Sequence, residues 1–357
     1  LNKLLRTFTS LFLGAGLFAG SFAYSQEIVM TPQNLSQCRA RTEFEMRSDL
    51  EKTLHSENSF ALSTLHNFYP DFRSSQLREL KISVQNLNTK NGYRGFYKSH
   101  QGSGKKEILL DCALGSVLSW PSLLAHEITH ALNENRRLVS WMDEMLAQIV
   151  EVNASPYVSY PKFDTIKRLN VIPSFFPDEK PFKSSQTYAT NLLFGLYISE
   201  NFRGYKAFQM LNHDILNLND FATRLKKFTL GQAQFDYIRE QISAENLIQY
   251  YVLALNINLP TRNGGTLYQI PGWSGFASDA LIQASGSYII EPGGFARISH
   301  ALEDKLPKSL LVPVYRILKT KNTFKIQNAQ DPVLGSWDEN FFVLINTSLD
   351  QYLEVEL

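Results

Sequence analysis

The chain is 357 residues long, 44% hydrophobic and 19% charged, a balance that builds packed globular units and excludes a disordered or fibrous polymer. Its 35 Lys and Arg nearly match its 34 Asp and Glu, and no basic stripe is present, so nucleic acid is not an expected partner. Two cysteines in so long a chain exclude both a disulfide-framework miniprotein and a cysteine-ligated zinc knuckle.

The first residues read as an export signal. Lys3 and Arg6 supply a positive start, Leu11 to Phe22 is uncharged and mostly apolar, and Ser21-Phe22-Ala23 and Ala23-Tyr24-Ser25 carry small residues where a signal peptidase reads. A signal peptide over residues 1–25 is expected, with export to the bacterial periplasm or the exterior. The apolar run is short for a membrane span, so no stable span is expected after signal removal; an uncleaved anchor is the alternative. In an oxidising compartment Cys38 and Cys112 suit one bridge, with two buried thiols as the alternative.

A helix is expected around Phe44 to His66. Strands follow at Leu80 to Val84, Gly92 to Lys98 and Glu107 to Asp111, the last two joined through Gln101-Gly102-Ser103-Gly104. Residues 26–115 thus form an N-terminal α/β subdomain, with Glu107 to Asp111 as its expected edge strand; a propeptide role for 26–70 stays open. From Trp120 to about Leu255 apolar residues recur at three- and four-residue spacing over 121–134, 140–153, 185–202, 204–212, 219–228 and 232–243. This predicts a helical subdomain over 116–255. Its Pro-rich passage, with Pro156, Pro161, Pro173, Pro177 and Pro181, reads as an ordered, irregular surface loop. After Pro260, Gly and Pro turns separate short runs of β-branched and aromatic residues: Ser287 to Ile290, Leu310 to Val312, Thr323 to Ile326, Phe341 to Ile345 and Tyr352 to Val355. Residues 256–357 therefore form a C-terminal all-β, sandwich-like domain, available to bind a protein or glycan, and the fold class is α+β.

The chemistry concentrates in His126-Glu127-Ile128-Thr129-His130. On a helix, histidines four apart share one face and both imidazoles reach one ion. Pro121 suits the first turn of such a helix, and Leu124, Ile128, Ala131 and Leu132 give it an apolar stripe. Glu127 lies roughly 100° around the axis from His126. A catalytic zinc takes three protein ligands and keeps a place for water, so one ligand must come from elsewhere. Glu144 is the candidate, in the first turn of a second helix that a short loop through Asn133 to Val139 folds back. Ser140 and Asp143 have capping-box spacing there. Glu151, two turns on, is the alternative ligand. The remaining histidines, His55, His66, His100, His213 and His300, have no paired spacing. His213 is the one to test as a second catalytic histidine, against a surface or packing role. Asn153-Ala154-Ser155 and Asn346-Thr347-Ser348 match the glycosylation triplet but carry no weight in an expected bacterial protein.

His126-Glu127-x-x-His130 followed by Trp141-x-x-Glu144-x-x-Ala147 resembles the gluzincin branch of zinc metallopeptidases, and more loosely the thermolysin- and aminopeptidase-like clan. That branch commonly reads W-x-x-E-G-x-A; Met145 replaces its Gly. The resemblance spans about residues 80 to 240. It implies a zincin-like catalytic domain, a small sheet followed by the metal-binding helices, holding one zinc ion on His126, His130 and Glu144. It further implies that Glu127 is the general base for peptide-bond hydrolysis and that Tyr188, opening a helix, helps hold the oxyanion. Thr190 and Asn191 stand where the aminopeptidase subgroup has the Lys and Gly of Y-x-K-G, and that subgroup's G-x-M-E-N segment is absent, so an endopeptidase acting on peptide or protein substrates is expected. The competing class is a non-catalytic envelope protein that keeps the zinc fold as a scaffold. Metal content, and cleavage abolished by Glu127→Gln, separate the two.

Overall fold

A computed structural model describes residues 28–30, 60–73, 76–77, 80–85, 87, 95–99, 106–111, 120–154, 161–176, 185–202, 204–209, 215–228, 242–257, 270, 273–306, 313–320, 324–331, 333 and 337–357. The expected signal peptide, Cys38, Cys112, His55, His100, His213, the strand at 310–312 and all but the last two residues of 232–243 lie outside them. No helix among the described residues is long and apolar enough to cross a membrane.

The fold is mixed α+β, with a small sheet, a helical region and a separate antiparallel sheet. The small sheet runs β1 (Ile28–Met30), β2 (Leu80–Gln85), β3 (Gly95–Ser99) and β4 (Lys106–Asp111) in the order β1-β2-β4-β3. β1, β2 and β4 are parallel, and β3 is antiparallel to β4. This corrects the expected edge. β4 pairs on both sides and buries Ile108, Leu109 and Leu110, the apolar signature of a central strand. Among the described strands β3 is at one edge and β1 at the other, and the exposed Phe96, Lys98 and Ser99 of β3 suit an edge.

The helices are α1 (Phe60–Phe68), α2 (Trp120–Asn133), α3 (Ser140–Asn153), α4 (Pro161–Asp164), α5 (Ser185–Asn201), α6 (Tyr205–Gln209), α7 (Leu218–Phe228) and α8 (Ala244–Ile257). α2 packs against α1, α3 and β3, and α3 packs against α5. The turn between α2 and α3 is pinned from outside, because the Val139 N–H donates to the Ile215 carbonyl at 2.8 Å. α3 buries Trp141, Met145 and Ile149. Trp141 meets Phe175, Phe194 and Phe221 edge-on at 6.1–6.3 Å between ring centroids, which fixes the first turn of α3 in an aromatic core.

The described residues of the Pro-rich passage, 161–176, do not lie over the surface as expected. Phe163, Ile166, Ile172, Phe175 and Phe176 are buried, and Val171–Ile172 forms β5, which pairs with β7 (Phe295–Ser299). Proline breaks the helical period here, but its aromatic neighbours carry enough apolar area to be drawn into the core. The second sheet has the order β5-β7-β10-β8-β9, all antiparallel, from β7 (Phe295–Ser299), β8 (Val314–Lys319), β9 (Phe324–Asn328) and β10 (Glu339–Ile345). β6 (Ser287–Ile290) pairs only with β11 (Leu353–Glu356) among the described strands. Alternation along β10 sorts its two faces. Phe341, Val343 and Ile345 join the core shared with the helices, whereas Phe342 and Leu344 join a second cluster with Ile290 and Val355. Asn346 is buried, and its amide donates to the carbonyls of Ile290, Glu291 and Gln351, so its triplet serves a turn.

Candidate metal centre

α2 carries His126, Glu127 and His130; α3 carries Asp143, Glu144 and Glu151. The hairpin brings the expected ligands together. The donor atoms of His126, His130 and Glu144 all lie within 4.8 Å of one another, so this group could hold a metal ion. The two Nε2 atoms face each other at 3.2 Å. Glu144 sends one oxygen to 3.6 Å from His126 Nε2 and the other to 3.6 Å from His130 Nε2.

The outer nitrogens explain why the inner ones are free to bind. His126 Nδ1 meets Glu151 Oε2 at 2.9 Å, and His130 Nδ1 meets Asp143 Oδ2 at 2.8 Å. A carboxylate accepts only, so each Nδ1 carries a hydrogen and Nε2 is the nitrogen of each ring that can present a lone pair to an ion. At that separation two bare lone pairs would repel, so the place between them favours a positive charge, a proton or a metal ion. Glu144 Oε1 adds to the demand, being buried without a hydrogen-bond partner. Burial opposes a proton on His130, yet Asp143, Glu144 and Glu127 overcome it and hold its pKa up to about 10. Burial likewise works against His126, and Glu144, Glu151 and Glu127 raise it nonetheless. The centre is a sink for positive charge.

Two expectations change. Asp143 does not cap α3: the cap residue is Val139, with no side-chain bond, because Asp143 is engaged by His130 and by the Asn133 amide at 2.8 Å. Glu151 does not reach the inner donors but orients His126 from behind. Spacing alone placed Glu144 and Glu151 on one face of α3, seven residues apart. Which of them meets Nε2 and which Nδ1 depends on how α3 is pitched against α2.

Glu127 is buried, and burial raises its pKa above the ordinary carboxylate value against the pull of His126 and His130. Its Oε1 points at β3, where a Cβ added to Gly95 would lie 3.1 Å away. Gly95 was not singled out in the sequence; only its absent side chain, opposite a buried carboxylate, marks it. Tyr188 lies in the first turn of α5, half-buried and packed against the main core. His66, on α1, and His300 are exposed, and neither joins the group of donor atoms.

Comparison with models of known families finds no match for this chain, and comparison with curated proteins finds none.

Proposed function

We propose that the chain is an exported, zinc-dependent metallopeptidase of gluzincin type, hydrolysing peptide bonds as an endopeptidase. One observation carries this reading: three donors converge, both histidine tautomers are fixed from behind, and a separate buried carboxylate stands beside them. Ligand atoms about 2.0–2.1 Å from a tetrahedral ion lie about 3.3 Å apart, and separations of 3.2 and 3.6 Å fit that set. Two imidazoles and one carboxylate is also a ligand set that leaves room for catalysis. Zinc held there supplies Lewis acidity, acidifying water and polarising a carbonyl.

The rest is the work of the chain's own residues. Glu127 accepts the proton of the attacking water at a carboxylate oxygen and delivers it to the departing amine nitrogen. Burial raises its pKa in the metal-free chain, and the charge of a bound zinc would oppose that rise. β3 offers its outer edge to an extended peptide by strand addition, with Gly95 leaving no side chain between that edge and Glu127. The resemblance assigns Tyr188 a hydrogen bond to the developing oxyanion. The apolar N-terminal run supports export to the periplasm or exterior.

Zinc analysis and digestion of an unstructured protein by wild type and Glu127→Gln test the reading. The expected result is about one zinc per chain in both, with cleavage falling by about 10²-fold or more in the variant. Zinc in both with cleavage by neither would leave a binding protein on a metal scaffold. No zinc in either would remove the proposal.

A further inference from the structure

The hydrogen bonds around His130 continue past Asp143. Asp143 Oδ1 accepts from the Asn133 side-chain amide at 2.8 Å, and Asn133 Oδ1 accepts from the Tyr69 hydroxyl at 3.0 Å. The direction of this chain is forced. Asp143 only accepts, so Asn133 must turn its NH2 toward it and its carbonyl oxygen toward Tyr69, which must donate. Tyr69 follows α1 directly, and its N–H extends that helix to the Leu65 carbonyl at 2.8 Å. Its ring is buried in the main core, and the Arg136 guanidinium lies 4.4 Å from the ring centroid. The Arg136 N–H closes the turn after α2 on the Asn133 carbonyl at 2.8 Å. Three segments, the end of α1, the end of α2 and the start of α3, therefore meet in one fully directed network behind one imidazole.

We propose that Tyr69 is a positioning residue for the metal centre: acting through Asn133 and Asp143, its hydroxyl holds the His130 ring so that Nε2 faces His126 and Glu144. The inference rests on the metal-site reading above and deepens it. Without the hydroxyl the Asn133 amide can rotate, Asp143 loses its second tether, and His130 gains freedom that binding a metal must remove. It follows that the segment carrying Tyr69 belongs to the working enzyme and is no detachable propeptide. Processing that reached Tyr69 would loosen the centre.

Zinc dissociation constants of the full chain, measured by competition with a chelator, test this. Asp143→Asn should weaken zinc about 10–100-fold, as for residues that touch a metal-bound histidine. Tyr69→Phe keeps the core ring and should weaken it about 3–10-fold, being one hydrogen bond further out. Asn133→Ala should behave like Tyr69→Phe, and the double variant should be no weaker than the weaker single, because both break one chain. Tyr251→Phe is the control: it removes another buried hydroxyl, donated to the Thr190 carbonyl at 2.7 Å in the helical core, and should leave zinc affinity unchanged. Wild-type affinity in Tyr69→Phe, or equal losses in Tyr69→Phe and Tyr251→Phe, would overturn the inference while leaving the zinc site standing. Should Tyr69→Phe fail to fold, Asn133→Ala carries the same two outcomes. A wild-type chain that takes up no zinc would remove both the metal-site reading and the inference built on it.

Discussion

Gly95 and His130 are the residues where small changes in the centre have the plainest consequences. A Cβ on Gly95 would stand 3.1 Å from Glu127 Oε1, 3.2 Å from the Leu109 carbonyl and 3.3 Å from Leu123 Cδ1. The carbonyl belongs to the paired strand and cannot yield, so the carboxylate must shift by a few tenths of an ångström. Gly95→Ala should lower turnover about tenfold, since a displacement of 1 Å costs about 10²-fold, while zinc content per chain stays that of wild type. A steady-state assay with parallel metal analysis reads both. His130 sets the pH dependence. Its metal-free pKa of about 10 lies above the ordinary 6.5, so its contribution to stability is complete below pH 6.5 and is lost as pH rises toward 10. Zinc needs the unprotonated Nε2, so its apparent affinity rises with pH over the same window. The gap between melting temperatures with and without zinc should widen from pH 6.5 to pH 9, and a gap that narrows would contradict the protonation scheme.

At the scale of elements, the pitch of α3 decides the site, and glycine sets that pitch. The resemblance expects Gly after the ligand glutamate, yet Met145 stands there, fully buried. The close approach is supplied from the opposite helix. A Cβ on Gly195 of α5 would lie 2.7 Å from Ile149 Cγ1 and 2.9 Å from Met145 Cγ. The space that a glycine on α3 would provide is provided by one on α5 instead, which keeps Glu144 at the depth of the histidines. Gly195→Ala should destabilise the fold by about 1–3 kcal/mol through overpacking, read by urea denaturation. It should also weaken zinc, because the helix that moves is the one carrying Glu144.

At the scale of the molecule, the helices and the five-stranded sheet are not independent. Phe295, Ile317, Phe341, Val343 and Ile345 belong to the same core cluster as Trp141, Phe175 and Tyr251. Arg297 of β7 is buried among them. It donates to Asn256 Oδ1 of α8 at 3.0 Å and to the carbonyls of Ala277 and Ala280, with Phe276 and Phe341 each 4.7 Å from its guanidinium carbon. Burial lowers its pKa to about 10, with Glu339 opposing the shift, so it stays charged at neutral pH. A core shared in this way predicts that the helices and this sheet unfold together. Urea transitions followed by tryptophan fluorescence and by far-ultraviolet circular dichroism should coincide, and a chain ended at residue 256 should lack the cooperative transition. Separate midpoints would show two autonomous units.

Periodicity and one spaced motif made much of this legible from residues alone. Helix α3 begins and ends where the apolar spacing put it, and β2, β4, β6, β10 and β11 fall on the runs that alternate or carry β-branched residues. His126, His130 and Glu144 were readable because the histidines are close in sequence and the glutamate follows a short turn, so local geometry nearly determines their meeting. What the sequence could not decide was everything that depends on which surface faces which. Among the described strands of the small sheet β3 is at an edge and β4 is not; β5 leaves a Pro-rich passage to pair with β7; Glu151 and Asp143 stand behind the histidines; Gly95 and Gly195 matter for what they leave empty. Side-chain period is a property of one segment, whereas register, helix pitch and the partner of a buried polar group are set by contacts between segments far apart in the chain.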